Sequence, residues 1–211
     1  MTAPDVEFFL DPVCPWCWIT SRWVTNVQRE CNDDVGWRFI SLELLNKENE
    51  RTPAHQATHQ AGLRTLRVAD QVRIEHGNEA VARYYTALGT RIHVGQRRDE
   101  LVDNTVALIE ESLTEAGLDA GLAKHADDDS HDEYLQSETD LALSRTGPNV
   151  GTPILTFAPG QGEREGSFFG PVISKAPTGA EAVELWRAVE TLATSGVAEL
   201  KRSLRAKPDF T

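Results

Sequence analysis

Val6-Glu7-Phe8-Phe9-Leu10-Asp11-Pro12-Val13-Cys14-Pro15-Trp16-Cys17 decides how the chain reads. Val6–Leu10 is a short apolar run with one charged residue, ended by Asp11-Pro12, and reads as a buried strand. Cys14 then opens a helical stretch to about Cys31, in which Ile19, Trp23 and Val27 recur at a four-residue step and share one stripe. A Cys-x-x-Cys between a strand and a helix is the setting of a redox dithiol. The first N–H groups of a helix lack intrahelical partners, and its dipole places positive potential there. A thiolate at that point is stabilised and becomes a nucleophile near neutral pH. Pro15 suits the first helical position, where no N–H is missed. Cys17 follows one turn later, so Cys14 is expected to attack and Cys17 to resolve the mixed disulfide. A zinc site would need two further ligands. Cys31 lies 14 residues beyond Cys17, about 21 Å along the helix at 1.5 Å per residue. That exceeds the reach of a disulfide or a shared metal. Cys31 reads as an inert helix thiol, and no metal ligands are expected.

Outward from the motif, Asn32-Asp33-Asp34 stops the helix, and Val35–Leu42 alternates as a second strand, with Val35, Trp37, Phe39 and Ser41 on one face. From about Pro53 to Arg145 strand signals vanish. Val81, Tyr84, Leu88 and Ile92 step by three and four, as do Val102, Val106, Ile109 and Leu113. Ser130-His131-Asp132-Glu133 has the form of a capping box opening a helix toward Ser144. After Gly147-Pro148-Asn149 two strands are expected, Ile154–Phe157 and Ser167–Phe169, joined by a turn over Gly160–Gly166 and closed by Gly170-Pro171. Thr178-Gly179-Ala180-Glu181 is a second capping box, for a helix carrying Val183, Trp186, Val189 and Ala193 on one face. The polar tail Lys201–Thr211 is expected to be loosely held. Strand, helix with the dithiol, strand, helical block, strand, strand, helix is an α/β thioredoxin topology with a large all-helical insertion between the second strand and the proline-led third strand. Residues 1–50 and 147–211 form the thioredoxin-like domain on this reading, and 51–146 the inserted subdomain.

The chain has 211 residues, with 21 basic and 33 acidic, for a net charge of −12. That field repels phosphate backbones and anionic lipid, so neither nucleic acid nor a membrane is expected as a partner. No apolar run reaches the ~20 residues of a bilayer span, and Met1-Thr2-Ala3-Pro4-Asp5 lacks a basic region and an apolar signal core. A cytoplasmic location is expected. Three cysteines in such a chain do not make a disulfide scaffold.

Thr152-Pro153, after Gly151 and before a strand, fits a cis-proline loop facing the dithiol, where the residue before the proline offers backbone hydrogen bonds to a thiol substrate. Trp16 either contacts substrate or folds back on the insertion. Trp18 and Trp23 are expected in the core. His93 either lines the cleft or satisfies a core hydrogen bond. His55 and His59, four apart, lack a third ligand and read as a solvated face. His125 and His131 flank Asp127-Asp128-Asp129, which reads as an acidic loop between helices, without a calcium-loop pattern.

Asp11-Pro12-Val13-Cys14-Pro15-Trp16-Cys17-Trp18, Gly151-Thr152-Pro153 and Phe168-Phe169-Gly170-Pro171-Val172-Ile173-Ser174-Lys175 together resemble the DsbA-like oxidoreductases. The nearer match is their cytoplasmic actinobacterial branch, the mycothiol-dependent nitroreductases or mycoredoxin-like proteins. Ile19–Trp23, Ser41-Leu42 with Leu45-Asn46, and Tyr85–Gly89 with Arg91-Ile92-His93 extend the likeness along nearly the whole chain. The resemblance implies a protein that is often a homodimer, with a dithiol oxidised by substrate and re-reduced by a low-molecular-weight thiol such as mycothiol, and with no bound cofactor. It implies reduction of disulfides and, in some members, of nitroaromatic compounds. It places Asn46 in the substrate pocket, beside Pro15, Trp16, Thr152, Pro153 and His93. Lys47–Ala61, with His55, Gln56 and His59, departs from the family pattern. Two other readings compete: a kappa-class glutathione transferase or 2-hydroxychromene-2-carboxylate isomerase, and a chaperone-like binding module without catalysis. The former typically carry serine where this chain has Cys14, which favours the dithiol enzyme.

Overall fold

The computed structural model describes residues 3–202 and 204–210. Met1 and Thr2 of the N-terminal stretch and Ser203 and Thr211 of the tail lie outside the described residues. Among those described, no helix is long and apolar enough to cross a membrane. The chain divides into two compact units, one of Met1–Leu10, Cys14–Arg38 and Ala142–Thr211, the other of Asp11–Val13 and Phe39–Leu141.

The first unit is built on a four-stranded sheet in the order β2-β1-β3-β4. Its strands are β1 (Val6–Leu10), β2 (Val35–Phe39), β3 (Ile154–Phe157) and β4 (Gly166–Phe169). β1 pairs antiparallel with β3, Val6 opposite Phe157, and β3 pairs antiparallel with β4, Ile154 opposite Phe169. All five residues of β1 are buried, as expected of a near-continuous apolar run in a central strand. The exception in that run, Glu7, is held by Arg38 and Arg145. Burying a carboxylate is tolerable only with such partners. β1 leads into α1 (Pro15–Cys31), which Asn32 closes in the left-handed conformation at φ 59° with its N–H on Gln28 O. α1 packs on α8 (Gly179–Thr194). There Trp23 meets the Trp186 ring at 5.2 Å and donates its indole N–H to Ala182 O at 2.9 Å, and Phe157 meets Trp186 at 5.0 Å. β4 runs so close under α8 that a Cβ on Gly166 would sit 2.5 Å from Ala193 O.

Several expectations are corrected in detail. β2 stops at Phe39 rather than Leu42, because Ser41 caps a short helix α2 (Leu42–Leu45), its Oγ accepting the Leu44 N–H at 3.3 Å. Thr178 sits at the start of α8 but its side chain makes no cap bond. The helix expected after Ser130 is α7 (Asp132–Thr146), and Ser130 lies in a single 3-10 turn before it, Asp129–His131, which Asp128 caps. The described residues of the tail are irregular but tied down: Asp209 N–H donates to Ser174 O at 2.7 Å, and Lys175 pairs with Asp209 at 3.1 Å.

The second unit is helical, as the periodicity of the insertion predicts. It contains α2, α3 (Pro53–His76), α4 (Asn78–Gly89), α5 (Arg98–Asp103), α6 (Thr105–Glu115), a 3-10 segment Ala120–Asp127 and most of α7. α4 runs into a π-helical turn, Thr90–Val94. Val81, Tyr84, Leu88 and Ile92 are all buried. The stripe expected over Val102, Val106, Ile109 and Leu113 holds in its second half, where Ile109 and Leu113 are buried, and breaks in its first. Asn104 leaves the helix at φ −136°, and the re-phased core face carries Leu101, Thr105 and Leu108, with Val102 and Val106 half-buried.

Candidate active site

Cys14 is the N-cap residue of α1, and Pro15 occupies the first helical turn as expected. Its backbone is extended (φ −78°, ψ 115°), so the side chain swings back over the helix start and the Cys17 N–H reaches Cys14 Sγ at 3.4 Å. Cys14 is 6 % exposed and Cys17 fully buried. Cys31 ends the same helix, exposed. The peptide bond Thr152–Pro153 is cis. It brings the Thr152 carbonyl to 3.8 Å from Cys14 Sγ, within the range of a thiol S–H···O contact. The loop after β4 contributes a second cis bond, Gly170–Pro171, whose Pro171 O accepts from Thr20 Oγ1 on α1 at 2.9 Å. The Phe168–Lys175 segment is thereby pinned to the dithiol helix.

Trp16 is half-buried, and its partner is one that the sequence does not suggest: Arg205 of the tail, with its guanidinium carbon 5.7 Å from the ring centroid. A guanidinium over an indole face is an attractive cation–π arrangement. Trp18 and Trp23 are core residues, and Arg22 lies over the Trp18 ring at 4.2 Å. Cys14, Pro15, Trp16, Cys17, Thr152 and Pro153 therefore belong to one unit, while Asn46 and His93 belong to the other.

In that second unit the three residues preceding Cys14 are held from three sides. Asp11 is fully buried; its two carboxylate oxygens accept the Val13 N–H at 2.9 Å and the Leu42 N–H at 2.7 Å. Loss of hydration raises its pKa to about 6, against the opposing pull of those two hydrogen bonds. Arg98 donates to Val13 O at 2.7 Å, and a Cβ on Gly62 would press on both Val13 methyls at 3.2 Å. His93 is 3 % exposed, with Nε2 at 2.9 Å from Pro12 O. Burial pushes its pKa down to about 4, so it is the neutral imidazole that donates this bond at pH 7. Asn46 closes α2, donating to Leu42 O at 2.9 Å and accepting from Asn49 at 3.2 Å. Asp11 reads in the sequence only as the residue that ends a strand; its burial and its Leu42 contact are long-range facts. Elsewhere His55 and His59 stack with centroids 6.3 Å apart, with Arg51 beside His59. That cation disfavours a metal there.

Comparison with known proteins bears on the fold and the family. The Mycobacterium tuberculosis protein Rv2286c, itself uncharacterised, is 29 % identical over 192 residues, covering 89 % of this chain and 76 % of its own. A Nitrosomonas europaea crystal structure, described as a candidate protein disulfide isomerase, shares the fold with a TM-score of 0.58 at 15 % identity, over 92 % of this chain and 100 % of that one. The family described as Rv2466c-like, mycothiol-dependent nitroreductase Rv2466c, matches residues 13–202. The protein is thus a thioredoxin-fold oxidoreductase, and the chain belongs to the Rv2466c-like family of mycothiol-dependent nitroreductases.

Proposed function

We propose that the protein is a thiol–disulfide oxidoreductase working through Cys14 and Cys17, re-reduced by mycothiol. The observation that carries this reading is the placement of Cys14 Sγ, on the Cys17 N–H at 3.4 Å and beside Thr152 O of the cis-proline loop, with Cys17 buried behind it. The Cys14 thiolate attacks one sulfur of a substrate disulfide, forming a mixed disulfide and expelling one thiolate. The Cys17 thiolate then attacks Cys14 Sγ, releases the second thiolate and leaves the Cys14–Cys17 disulfide. One mycothiol opens that disulfide as a mixed disulfide and a second releases mycothiol disulfide, so two electrons enter for each two that leave. The same dithiol can deliver the two electrons and two protons that take a nitro group to nitroso and water, the activity named for the family. Thr152 offers backbone hydrogen bonds to the incoming substrate, Pro153 shapes the loop that carries it, and Trp16 supplies an apolar wall. A cytoplasmic setting, with no nucleic-acid or membrane partner, fits the net charge of −12.

The test is a pair of variants and a comparison of reductants. Cys17→Ser should accumulate a mixed disulfide on Cys14, and Cys14→Ser should abolish turnover. The oxidised protein should be reduced faster by mycothiol than by glutathione or thioredoxin. Alkylation of Cys17 before Cys14 at pH 7 reverses the assignment, and equal rates with all three reductants remove mycothiol from it.

A further inference from the structure

We propose that His125, Asp128 and His131 form a divalent-metal site in the helical unit, and that it takes Zn2+. The proposal is independent of the dithiol chemistry. The three residues run His125-x-x-Asp128-x-x-His131 through the 3-10 segments before α7, and one ligand atom from each lies within 4.8 Å of the others. His125 Nδ1 is 3.3 Å and His131 Nε2 3.9 Å from the same carboxylate oxygen, Asp128 Oδ2. At zinc–nitrogen and zinc–oxygen distances of about 2.0–2.1 Å, tetrahedral ligands stand about 3.4 Å apart. Both histidines thus stand within about half an ångström of that spacing from Asp128, and the two rings, within 4.8 Å of each other, need to close by up to about 1.4 Å around one ion.

Two of the three ligands are already oriented. Asp128 spends Oδ1 on the Ser130 N–H at 3.1 Å, which leaves Oδ2 facing the histidines. His131 is 6 % exposed and bonds through Nδ1 to Asp70 Oδ2 at 2.7 Å. Asp70 itself is 2 % exposed. A carboxylate behind a histidine is the outer partner that fixes the tautomer of a metal ligand and raises its basicity. With a single proton, on Nδ1, the Nε2 lone pair points at Asp128, an unfavourable pairing unless a cation lies between them or the ring takes a second proton.

The nearby guanidinium groups do not fill that role, because each is engaged elsewhere: Arg73 with Asp70, Arg67 with Asp132 at 2.7 Å, and Arg64 with Asp127 at 2.8 Å. Two imidazoles and one carboxylate suit zinc better than the hard ions calcium or magnesium. Asp128, with its side chain 40 % exposed, leaves an open approach and a fourth position for water. A bound ion would clamp the segment before α7 onto α3 through Asp70.

The experiment is a Zn2+ titration against a chromophoric chelator, using the full chain with Cys14, Cys17 and Cys31 replaced by serine so that thiols cannot compete. One equivalent should bind. His125→Ala and Asp128→Asn, both at accessible positions, should weaken binding at least tenfold, and His131→Ala more, if it folds. Asp70→Asn, which touches no metal, should weaken it about tenfold while leaving the stoichiometry at one. The melting temperature should rise with Zn2+ in the parent and not in His125→Ala. The alternative is an imidazolium of His131 bridging Asp70 and Asp128 with no ion. Zinc binding that is absent in the parent, or unchanged in both His125→Ala and Asp128→Asn, overturns the proposal.

Discussion

Replacing Asp11 with asparagine should change how stability depends on pH, and the structure sets both sign and size. Asp11 is buried among non-aqueous partners, and its pKa stands at about 6 instead of 3.8. At about 1.4 kcal/mol per tenfold, that difference corresponds to about 3 kcal/mol. The folded-state pKa of this acid is raised, so the native state holds a proton that the unfolded chain releases. The cost is absent below pH 3.8, grows as pH rises through the folded value near 6, and is constant above it. His93 acts in the opposite direction. Its pKa falls from 6.5 to about 4 on burial, so its contribution is lost as pH drops below 6.5. Over pH 4–7 the two slopes are of similar size, roughly 2–3 kcal/mol each, and largely cancel. Asp11→Asn removes one of them. Asparagine also accepts through one oxygen only, leaving the Val13 or Leu42 N–H without its acceptor at a cost of about 1–3 kcal/mol at every pH. The variant should therefore be the less stable protein at pH 4 and recover about 2 kcal/mol relative to the parent by pH 7. Urea unfolding at pH 4, 5, 6 and 7 measures this, and a carboxyl-carbon NMR titration locates Asp11 directly. Parallel stability curves, or an Asp11 midpoint near 3.8, would refute the reasoning.

Gly166→Ala places a Cβ 2.5 Å from Ala193 O and 2.6 Å from its carbonyl carbon, so β4 or α8 must move; a loss of about 3 kcal/mol in denaturant unfolding is expected, and an unchanged midpoint would contradict the packing. Glu7→Gln leaves Arg38 and Arg145 without their shared carboxylate; because the Arg38 side chain is 27 % exposed, the expected loss is roughly 2–3 kcal/mol, below that of a fully buried pair, and it should fall further in Arg38→Gln background. The uncharged pair Pro15-Trp16 between the cysteines lacks a cation to hold the thiolate, so the dithiol should equilibrate with a glutathione or mycothiol buffer at roughly −200 to −230 mV, and a value near −120 mV would remove the reductase assignment. Arg205→Ala should alter Trp16 fluorescence in the reduced protein; identical spectra would mean that the tail does not rest on the motif in solution.

The sequence by itself determined the strand–dithiol–helix start, the helical nature of residues 53–145 and the position of β3, because each is written in local period and local backbone chemistry. Val6–Leu10, Pro15 after Cys14 and Asn32 after Cys31 act on their own neighbours, and no distant residue is needed to read them. Tertiary structure decided what depends on partners far along the chain. Glu7 looks like a flaw in a strand until Arg38 and Arg145 arrive beside it. Periodicity could not find the break at Asn104, since α5 and α6 each keep a helical pattern and only their phase against the core changes. The helices expected after Ser130 and Thr178 form, but Asp128 caps the turn before α7 and the Thr178 side chain makes no cap bond. The polar tail reads as loose because its anchors, Ser174 and Trp16, lie 35 and 189 residues before Asp209 and Arg205. His125 and His131 read as flanking an acidic loop between helices; the residue bonded to His131 Nδ1 is Asp70, 61 positions away, and only folding brings a buried carboxylate from α3 to that imidazole.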